Sequence, residues 1–293
     1  MEIRLKEKII EGGLLFASLL TILTTIGIIW VLFTQSVGFF TEVSLWEFIT
    51  ATEWTPLFTK KSYGILPLLA GTMLTTFIAI AVALPLGVTI AIYLNEYADK
   101  RFRAYIKPML EILAAVPTVV YGFFALTIVT PFLKLLFPEV ASFNALSAGL
   151  VMGIMIIPMI SSLSEDALFA VPKSLREGSY GLGATRLQTA LRVLVPAASS
   201  GIIVSIILAI SRAIGETMIV AIAAGQQPNL TINPLETVET ITAYIVQVSL
   251  GDVPYASIEY RTIFAVGLSL FIFTFILNNI SFYIRKKFQN KYE

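Results

Sequence analysis

The sequence predicts an all-α membrane protein with six transmembrane helices. Of its 293 residues, 57% are hydrophobic and only 13% are charged, and the mean hydropathy is +0.84. Soluble domains carry about 25% charged residues, so this chain has too little charge to cover a soluble surface. Six apolar segments reach the ~20 residues that a helix needs to cross a bilayer. They are 12–34, 66–94, 109–136, 146–164, 198–224 and 262–284.

The basic residues orient these helices. Fifteen of the 20 Lys and Arg residues lie on one predicted side, four lie on the other, and Arg212 lies within the fifth segment. The fifteen are Arg4, Lys6, Lys8, Lys100, Arg101, Arg103, Lys107, Lys173, Arg176, Arg186, Arg192, Arg285, Lys286, Lys287 and Lys291. Cytoplasmic loops are the ones enriched in Lys and Arg, so we expect both termini in the cytoplasm. The first apolar run is too long for a signal-peptide core, and we expect an uncleaved signal anchor.

Two long loops fall on the predicted outer side, residues 35–65 and residues 225–261. Tryptophan is enriched at membrane–water interfaces, and the three tryptophans lie at or just beyond the outer end of the first helix. We therefore expect Trp30, Trp46 and Trp54 to act as interfacial anchors.

The second outer loop contains the signals of a helix. Asn233 is a suitable N-cap, Pro234 suits the first helical position, and Gly251 can end the helix. We expect an outer-surface or re-entrant helix between them. Within the bundle, Gly149 and Gly153 form a G-x-x-x-G pattern that permits close helix contact.

Arg212 and Glu216 are the most informative residues in a predicted span. They are four residues apart, which places them on one face of a continuous helix. If that helix starts near residue 198, Arg212 lies roughly 21 Å along it. Burying such a charge costs at least ~2.5–3.5 kcal/mol, so the pair requires an explanation.

The remainder of that helix face is small and polar. Gly201, Ser205, Ala209 and Gly215 share it, whereas the opposite face collects Ile203, Ile207, Ile210 and Ile214. One hypothesis is an anion pathway, in which the guanidinium of Arg212 binds an oxyanion through paired donors. Glu216 would orient Arg212 or accept a hydrogen bond from the anion, and Ser205 would line the pathway. The alternative hypothesis is an ion pair that fixes helix packing.

Composition excludes most enzyme chemistry. The chain has no Cys and no His, so thiolate metal sites, cysteine nucleophiles and the commonest general base are missing. The near balance of 20 basic and 19 acidic residues does not favour a nucleic-acid partner. We therefore expect no enzyme, no metal site and no cofactor on this chain itself.

The fourth loop, residues 165–197, is the longest on the cytoplasmic side. Gly181 and Gly183 should separate two helices, and Thr185 with Gln188 forms a capping-box pattern at the start of the second. The loop resembles the "EAA" signature of ABC-importer permeases. Glu177-Gly178-Ser179 fills the first triplet, Gly183 follows after three residues, and Val193-Leu194-Val195-Pro196 follows after nine more.

Three further stretches narrow this resemblance to permeases of phosphate importers, and to the "C" type more than its "A" partner. They begin at Gly64, Glu111 and Ser211, and the third reads Ser-Arg-Ala-Ile-Gly-Glu-Thr-Met. The resemblance implies the type I ABC-importer fold. We expect residues 1–64 to form the N-terminal tail, the first transmembrane helix and an outer loop, and residues 65–293 to form the core permease domain, with five transmembrane helices and the cytoplasmic coupling loop 165–197. It also implies that Arg212 and Glu216 take part in phosphate passage.

The same resemblance implies the partners. A second phosphate permease subunit would complete a heterodimer, and two copies of an ATP-binding subunit would bind ATP and Mg. An extracytoplasmic phosphate-binding protein would deliver the anion at the inner (plasma) membrane of a bacterium or archaeon. Leu175 to Ala184 would be the coupling helix that docks on the ATPase, with Glu177 and Gly183 at its turn. The sequence has no G-x-x-x-x-G-K-[ST] motif of its own.

The sequence is also compatible with other functions. A permease for molybdate, sulfate or an organic solute would keep the class and change the substrate. An ion-coupled secondary transporter would need no ATPase. A membrane-embedded hydrolase would need a nucleophile and a base, and no pair of residues such as Glu111 supplies them convincingly.

Overall fold

The computed structural model describes residues 2–255 and 257–289, and this part of the chain is helical, with no strand beyond one isolated bridge between Trp54 and Tyr63. Its helices are α1 Glu2–Phe40, α2 Leu45–Thr50, α3 Leu66–Glu96, α4 Lys100–Ala115, α5 Thr118–Phe124, α6 Thr130–Leu136, α7 Ala145–Phe169, α8 Lys173–Gly181, α9 Arg186–Thr189, α10 Val195–Ala197, α11 Ser199–Ile214, α12 Met218–Ala223, α13 Ile241–Leu250 and α14 Ile258–Gln289. Single π-helical turns, Ala125–Val129 and Ala190–Leu194, join α5 to α6 and α9 to α10.

Five helical segments of this described part are long and apolar enough to cross a membrane: α1, α3, the continuous run from α5 to α6, α7 and α14. A sixth is formed if residues 186–197 and α11, which meet at a bend of 74°, count as one broken span. The prediction of an all-α membrane protein is confirmed. Lys291 lies outside the described residues, and Arg4, Lys6, Arg285, Lys286 and Lys287 lie outside the described side chains, so the predicted orientation stays a prediction.

The third predicted span, 109–136, is wrong at its start. Residues 100–115 form the separate amphipathic helix α4, and the span begins only at Thr118. Pro117 is the physical reason. A residue that precedes proline is disfavoured in the helical region, and Val116 is accordingly extended, with ψ 131°.

The core of the bundle is the contact between α3 and α7. Gly149 and Gly153 allow it, as predicted, because a Cβ on Gly149 would lie 2.7 Å from Cβ of Ile78, and one on Gly153 would lie 2.9 Å from the carbonyl oxygen of Ala79. Fully buried Ala79 and Met152 belong to the same cluster. Close backbone approach at small residues is the usual way in which membrane helices associate.

An aromatic cluster covers the predicted outer end of the bundle. Trp54 packs edge-to-face against Phe48, Tyr63 and Tyr244, and only 1% of its surface is exposed. The expectation that Trp54 is an interfacial anchor is therefore wrong, because this loop folds back into the protein. Trp46 is 76% exposed, as an anchor would be.

The predicted helix of the second outer loop is half correct. It ends at Gly251, as expected, but it begins at Ile241 with Thr240 as its N-cap. Asn233 does not cap it. Its side-chain oxygen accepts a hydrogen bond from the backbone N–H of Leu235, and its side-chain amide donates to Glu236. These local bonds hold residues 233–236 in a turn instead of a helix.

Replacing Gly149 with Ala should destabilise the bundle. The new Cβ would meet Ile78 at 2.7 Å, and overpacking a core typically costs about 1–3 kcal/mol. Thermal unfolding in lipid nanodiscs should show a lower midpoint. Gly27→Ala in α1 is the matched control, because a Cβ there meets nothing within 4 Å. Equal midpoints for the two variants would contradict the close α3–α7 contact.

Candidate functional site

The fifth predicted span, 198–224, is not one helix. α11 ends at Ile214, residues 215–217 interrupt the helix, and α12 resumes at Met218. Gly215 terminates α11, and its N–H bonds to the carbonyl oxygens of Ser211 and Ala213. The expectation that Arg212 and Glu216 share one helix face is therefore wrong. Arg212 lies in the last turn of α11, whereas Glu216 lies in the interruption.

Glu216 satisfies the backbone at the start of α12. Its Oε1 accepts hydrogen bonds from the N–H groups of Met218, at 3.1 Å, and Ile219, at 3.3 Å. Only 8% of Glu216 is exposed. A carboxylate at a helix N-terminus pairs with otherwise unsatisfied donors and with the positive end of the helix dipole. Glu216 therefore stabilises the interrupted geometry.

A second group supports the interruption from outside. Thr242, in the first turn of α13, donates a hydrogen bond of 2.6 Å to the carbonyl oxygen of Glu216. The neighbouring N–H of Ile241 donates to Oγ1 of Thr72 in α3 at 3.0 Å. Sequence reasoning missed Thr242. The threonines at the start of α13 were the sequence signal for this contact. Threonine is also common as a helix cap at the protein surface, so the signal was not specific.

Arg212 has an exposed side chain, and its guanidinium lies near the sulfur of Met155 in α7, at 4.0 Å. Within the described part of the chain, no carboxylate lies in ion-pair distance of Arg212. The alternative hypothesis of an Arg212–Glu216 ion pair is not what this conformation shows. The guanidinium is available to an anion instead.

Ser205 lies deeper in the same helix. It is fully buried, and its Oγ is 2.8 Å from Oγ of Ser164 in α7. It therefore joins α11 to α7 in this conformation, and its place in an anion pathway stays a prediction. The opposite face is also partly covered, because Ile214 is buried and Ile203, Ile207 and Ile210 are half-buried.

The fourth loop, residues 165–197, forms the predicted pair of helices. α8 ends at Gly181, and Gly183 takes a left-handed conformation, φ +82°, which suits glycine. Thr185 and Gln188 form the predicted capping box at the start of α9. Pro196 lies in α10, just before the 74° bend into α11. Proline fits there because the first helical positions need no N–H donor.

The residues of the signature mostly face outward. Gly178 has open space where a Cβ would stand, and Glu177 is exposed. Glu177 lies within α8 and not at the turn, because the helix begins at Lys173, directly after Pro172. Ser179 faces inward and bonds to Thr189 across the hairpin, at 2.9 Å. The observed helix α8 starts and ends earlier in the chain than the predicted helix, Leu175 to Ala184, by about two residues.

Two ion-pair clusters that the sequence did not reveal hold this hairpin and α4 to the spanning helices. Arg176 pairs with Glu96 at the end of α3, where the phenol of Tyr180 also donates to Glu96. In the second cluster, Glu165 of α7 pairs with Arg103 at 2.5 Å and Lys107 at 3.3 Å, both from α4. The α8 hairpin is therefore attached to α3, and α4 to α7.

Within residues 2–255 and 257–289, no group of three or more acidic residues could hold a metal ion. The spanning helices and the attached helical hairpin together define the class. This is an integral membrane permease.

The chain belongs to the binding-protein-dependent transport system inner membrane component family, whose model matches residues 83–290. It is 38% identical to the probable ABC transporter permease protein YqgH of Bacillus subtilis, over 80% of this chain and 75% of that protein. It is 32% identical to the phosphate transport system permease protein PstC of Mesorhizobium japonicum, over 81% and 77%. For the probable PstC of Methanocaldococcus jannaschii, identity is 33% over 78% of each chain.

Solved structures share the fold. A permease chain from a bacterial transporter that imports the acidic polysaccharide alginate has a TM-score of 0.64 at 17% identity, covering 97% of this chain and 99% of that one. A chain of the MetNI methionine ABC transporter, solved in inward-facing conformations, has a TM-score of 0.57 at 19% identity, covering 77% and 94%. This chain is thus an inner-membrane ABC importer permease with the expected type I fold.

Replacing Glu216 with Ala should loosen the start of α12. The loss of a side-chain acceptor for N-terminal N–H groups costs about 1 kcal/mol. Limited proteolysis or hydrogen exchange should report faster opening at residues 215–219. Glu216→Gln keeps an amide oxygen in the same place and is the matched control. If Glu216→Ala and Glu216→Gln behave identically, the capping role is refuted.

Tyr180→Phe should free one end of α8 from α3, since it removes the hydrogen bond to Glu96. Hydrogen bonds contribute about 0.5–1.5 kcal/mol each, so amide exchange in residues 173–181 should accelerate several-fold. Tyr105→Phe is the control, because Tyr105 is 74% exposed on α4. Unchanged exchange in Tyr180→Phe would show that Arg176 alone attaches the helix.

Proposed function

We propose that this chain is the transmembrane permease subunit of an ATP-driven importer that carries inorganic phosphate across the inner (plasma) membrane. The observation that carries the proposal is the exposed guanidinium of Arg212, unpaired within the described part of the chain, in the last turn of α11 before residues 215–217 separate it from α12. The names of the PstC relatives support phosphate as the anion.

The interrupted helix suits transport. Broken helices in transporters place backbone and charged groups near the middle of the membrane, where they bind the substrate and allow the two halves to move. Arg212 supplies planar donors that match a phosphate oxyanion. Glu216 holds α12 in place beside it. A single exposed cation provides weak, transient binding, which conduction requires because tight binding would trap the ion.

Partner subunits complete the proposal. A second phosphate permease would form a heterodimer with this chain, and two ATP-binding subunits would hold ATP and Mg and hydrolyse the nucleotide. Those subunits would dock on α8, whose exposed Glu177 and Gly178 leave that surface open. An extracytoplasmic phosphate-binding protein would deliver phosphate on the opposite side. Both termini would then be cytoplasmic, as the distribution of Lys and Arg predicts.

Arg212→Gln should reduce ATP-dependent uptake of radiolabelled phosphate by more than tenfold in proteoliposomes that contain the whole importer. Arg212→Lys should also be impaired, since an ammonium lacks the paired planar donors. Arg101→Gln is the matched control, because Arg101 is exposed on α4, away from α11. Unfolding midpoints for Arg212→Gln should stay at the wild-type value.

Competition then identifies the anion. Unlabelled phosphate should abolish uptake, whereas equal concentrations of molybdate or sulfate should not. Phosphate-insensitive uptake of another anion would overturn the substrate. Uptake that follows an ion gradient without ATP would overturn the class of energy coupling.

A further inference from the structure

A pocket on the predicted outer side has an unusual lining. It has a volume of about 150 Å³ and lies between the first outer loop, the segment after α12 and α13. Its walls include the aromatic rings of Trp54, Phe58 and Tyr244, and the amides of Gln226 and Gln247 also line it. The carboxyl group of Glu239 completes the lining. We call this the Glu239 pocket.

Glu239 is buried without a partner. Only 1% of its surface is exposed, and its Oε1 has no hydrogen-bond partner. Burying a carboxylate is costly unless it is paired, and the described residues of the pocket supply no basic group. Native proteins rarely leave a buried polar atom unsatisfied without a functional cause. The carboxyl group of Glu239 is therefore open to a partner from outside the described residues.

The walls determine the chemistry of that partner. A bare divalent metal ion needs about six or more oxygen ligands, usually with several carboxylates among them, whereas the side chains of this pocket offer one carboxyl group and two amides among mainly apolar surfaces. Aromatic faces attract organic cations, and a carboxylate is the natural partner of a guanidinium or ammonium group. The pocket therefore suits the end of a basic side chain better than an inorganic ion.

We propose that the Glu239 pocket receives a lysine or arginine side chain of the external binding protein when that protein docks on the permease. The source of the side chain rests on the proposed function, since the family transports with the help of a binding protein. The pocket opens on the outer loops, where such a protein would dock. One desolvated charge pair at the centre of an interface can dominate its affinity.

Binding of a cation in the Glu239 pocket is coupled to the release of a proton. Burial raises the pKa of Glu239 to about 8, so the carboxyl group of the empty pocket is mostly protonated at pH 7. A cation requires the ionised form, and its arrival must release nearly one proton at that pH. Affinity should rise about tenfold per pH unit up to about pH 8 and then level off. The other described titratable group that faces Glu239 is Tyr244, and burial raises the pKa of Tyr244 as well. Gly71 and Thr72 of α3, which lie behind Glu239, are uncharged.

The first experiment titrates the whole importer in nanodiscs with N-acetyl-arginine amide, followed by calorimetry at pH 7 in two buffers of different ionisation enthalpy. Saturable binding with release of nearly one proton is expected. Glu239→Gln should weaken it at least tenfold, whereas Glu236→Gln, an exposed carboxylate on the same loop, should not. The neutral citrulline analogue should not bind. Equal binding of potassium ions, or no binding of the arginine amide, would overturn the proposal.

The second experiment tests the source of the cation. Affinity of the binding protein for the nanodisc importer should fall at least tenfold in Glu239→Gln and stay within twofold in Glu236→Gln. Neutralising the matching basic residue of the binding protein should cause no further loss in Glu239→Gln. Affinity that does not depend on Glu239 would overturn the docking role. Neither readout needs phosphate transport, so failure of the proposed substrate would be seen separately, in the Arg212 uptake experiment.

Discussion

The architecture depends on one constraint, which is that every backbone polar group within the membrane must find a partner in the protein. The break between α11 and α12 at residues 215–217 frees backbone N–H and carbonyl groups. Glu216 supplies acceptors for two of the N–H groups, and Thr242 donates to the freed carbonyl of Glu216. These bonds from two side chains, together with the termination of α11 at Gly215, stabilise the interruption.

Because Glu216 is occupied by the backbone, Arg212 has no carboxylate partner in the described part of the chain. A charge that would usually be neutralised in an apolar region is left with the sulfur of Met155 as its neighbour. The same arrangement that stabilises the break thus creates a cationic surface beside it. The break and the unpaired cation beside it share one cause, the preference of a carboxylate for the N-terminus of a helix.

The sequence predicted the features that depend on local rules. The length of the apolar segments predicted most of the spanning helices, and the small residues Gly149 and Gly153 predicted a close helix contact. Thr185 and Gln188 predicted the start of α9. It failed where a distant residue decides the local structure. The four-residue spacing of Arg212 and Glu216 fits one face of a continuous helix. In the structure α11 has already ended before Glu216, which bonds to the N–H groups of Met218 and Ile219. In the sequence, Trp54 resembles an interfacial anchor. In the structure it is buried against Tyr244, a residue 190 positions later in the chain.

The attachment of α8 to Glu96 has a mechanical consequence. α3 contains 31 residues, which makes it roughly 46 Å long, and the α8 hairpin is attached at one end of it. A tilt of about 5° would displace the far end by roughly 4 Å, by the geometry of a rigid helix of that length. That end holds Thr72, which bonds to Ile241 beside the Thr242–Glu216 contact. A tilt of α3 about the hairpin end would therefore move the residues next to the interruption at its opposite end.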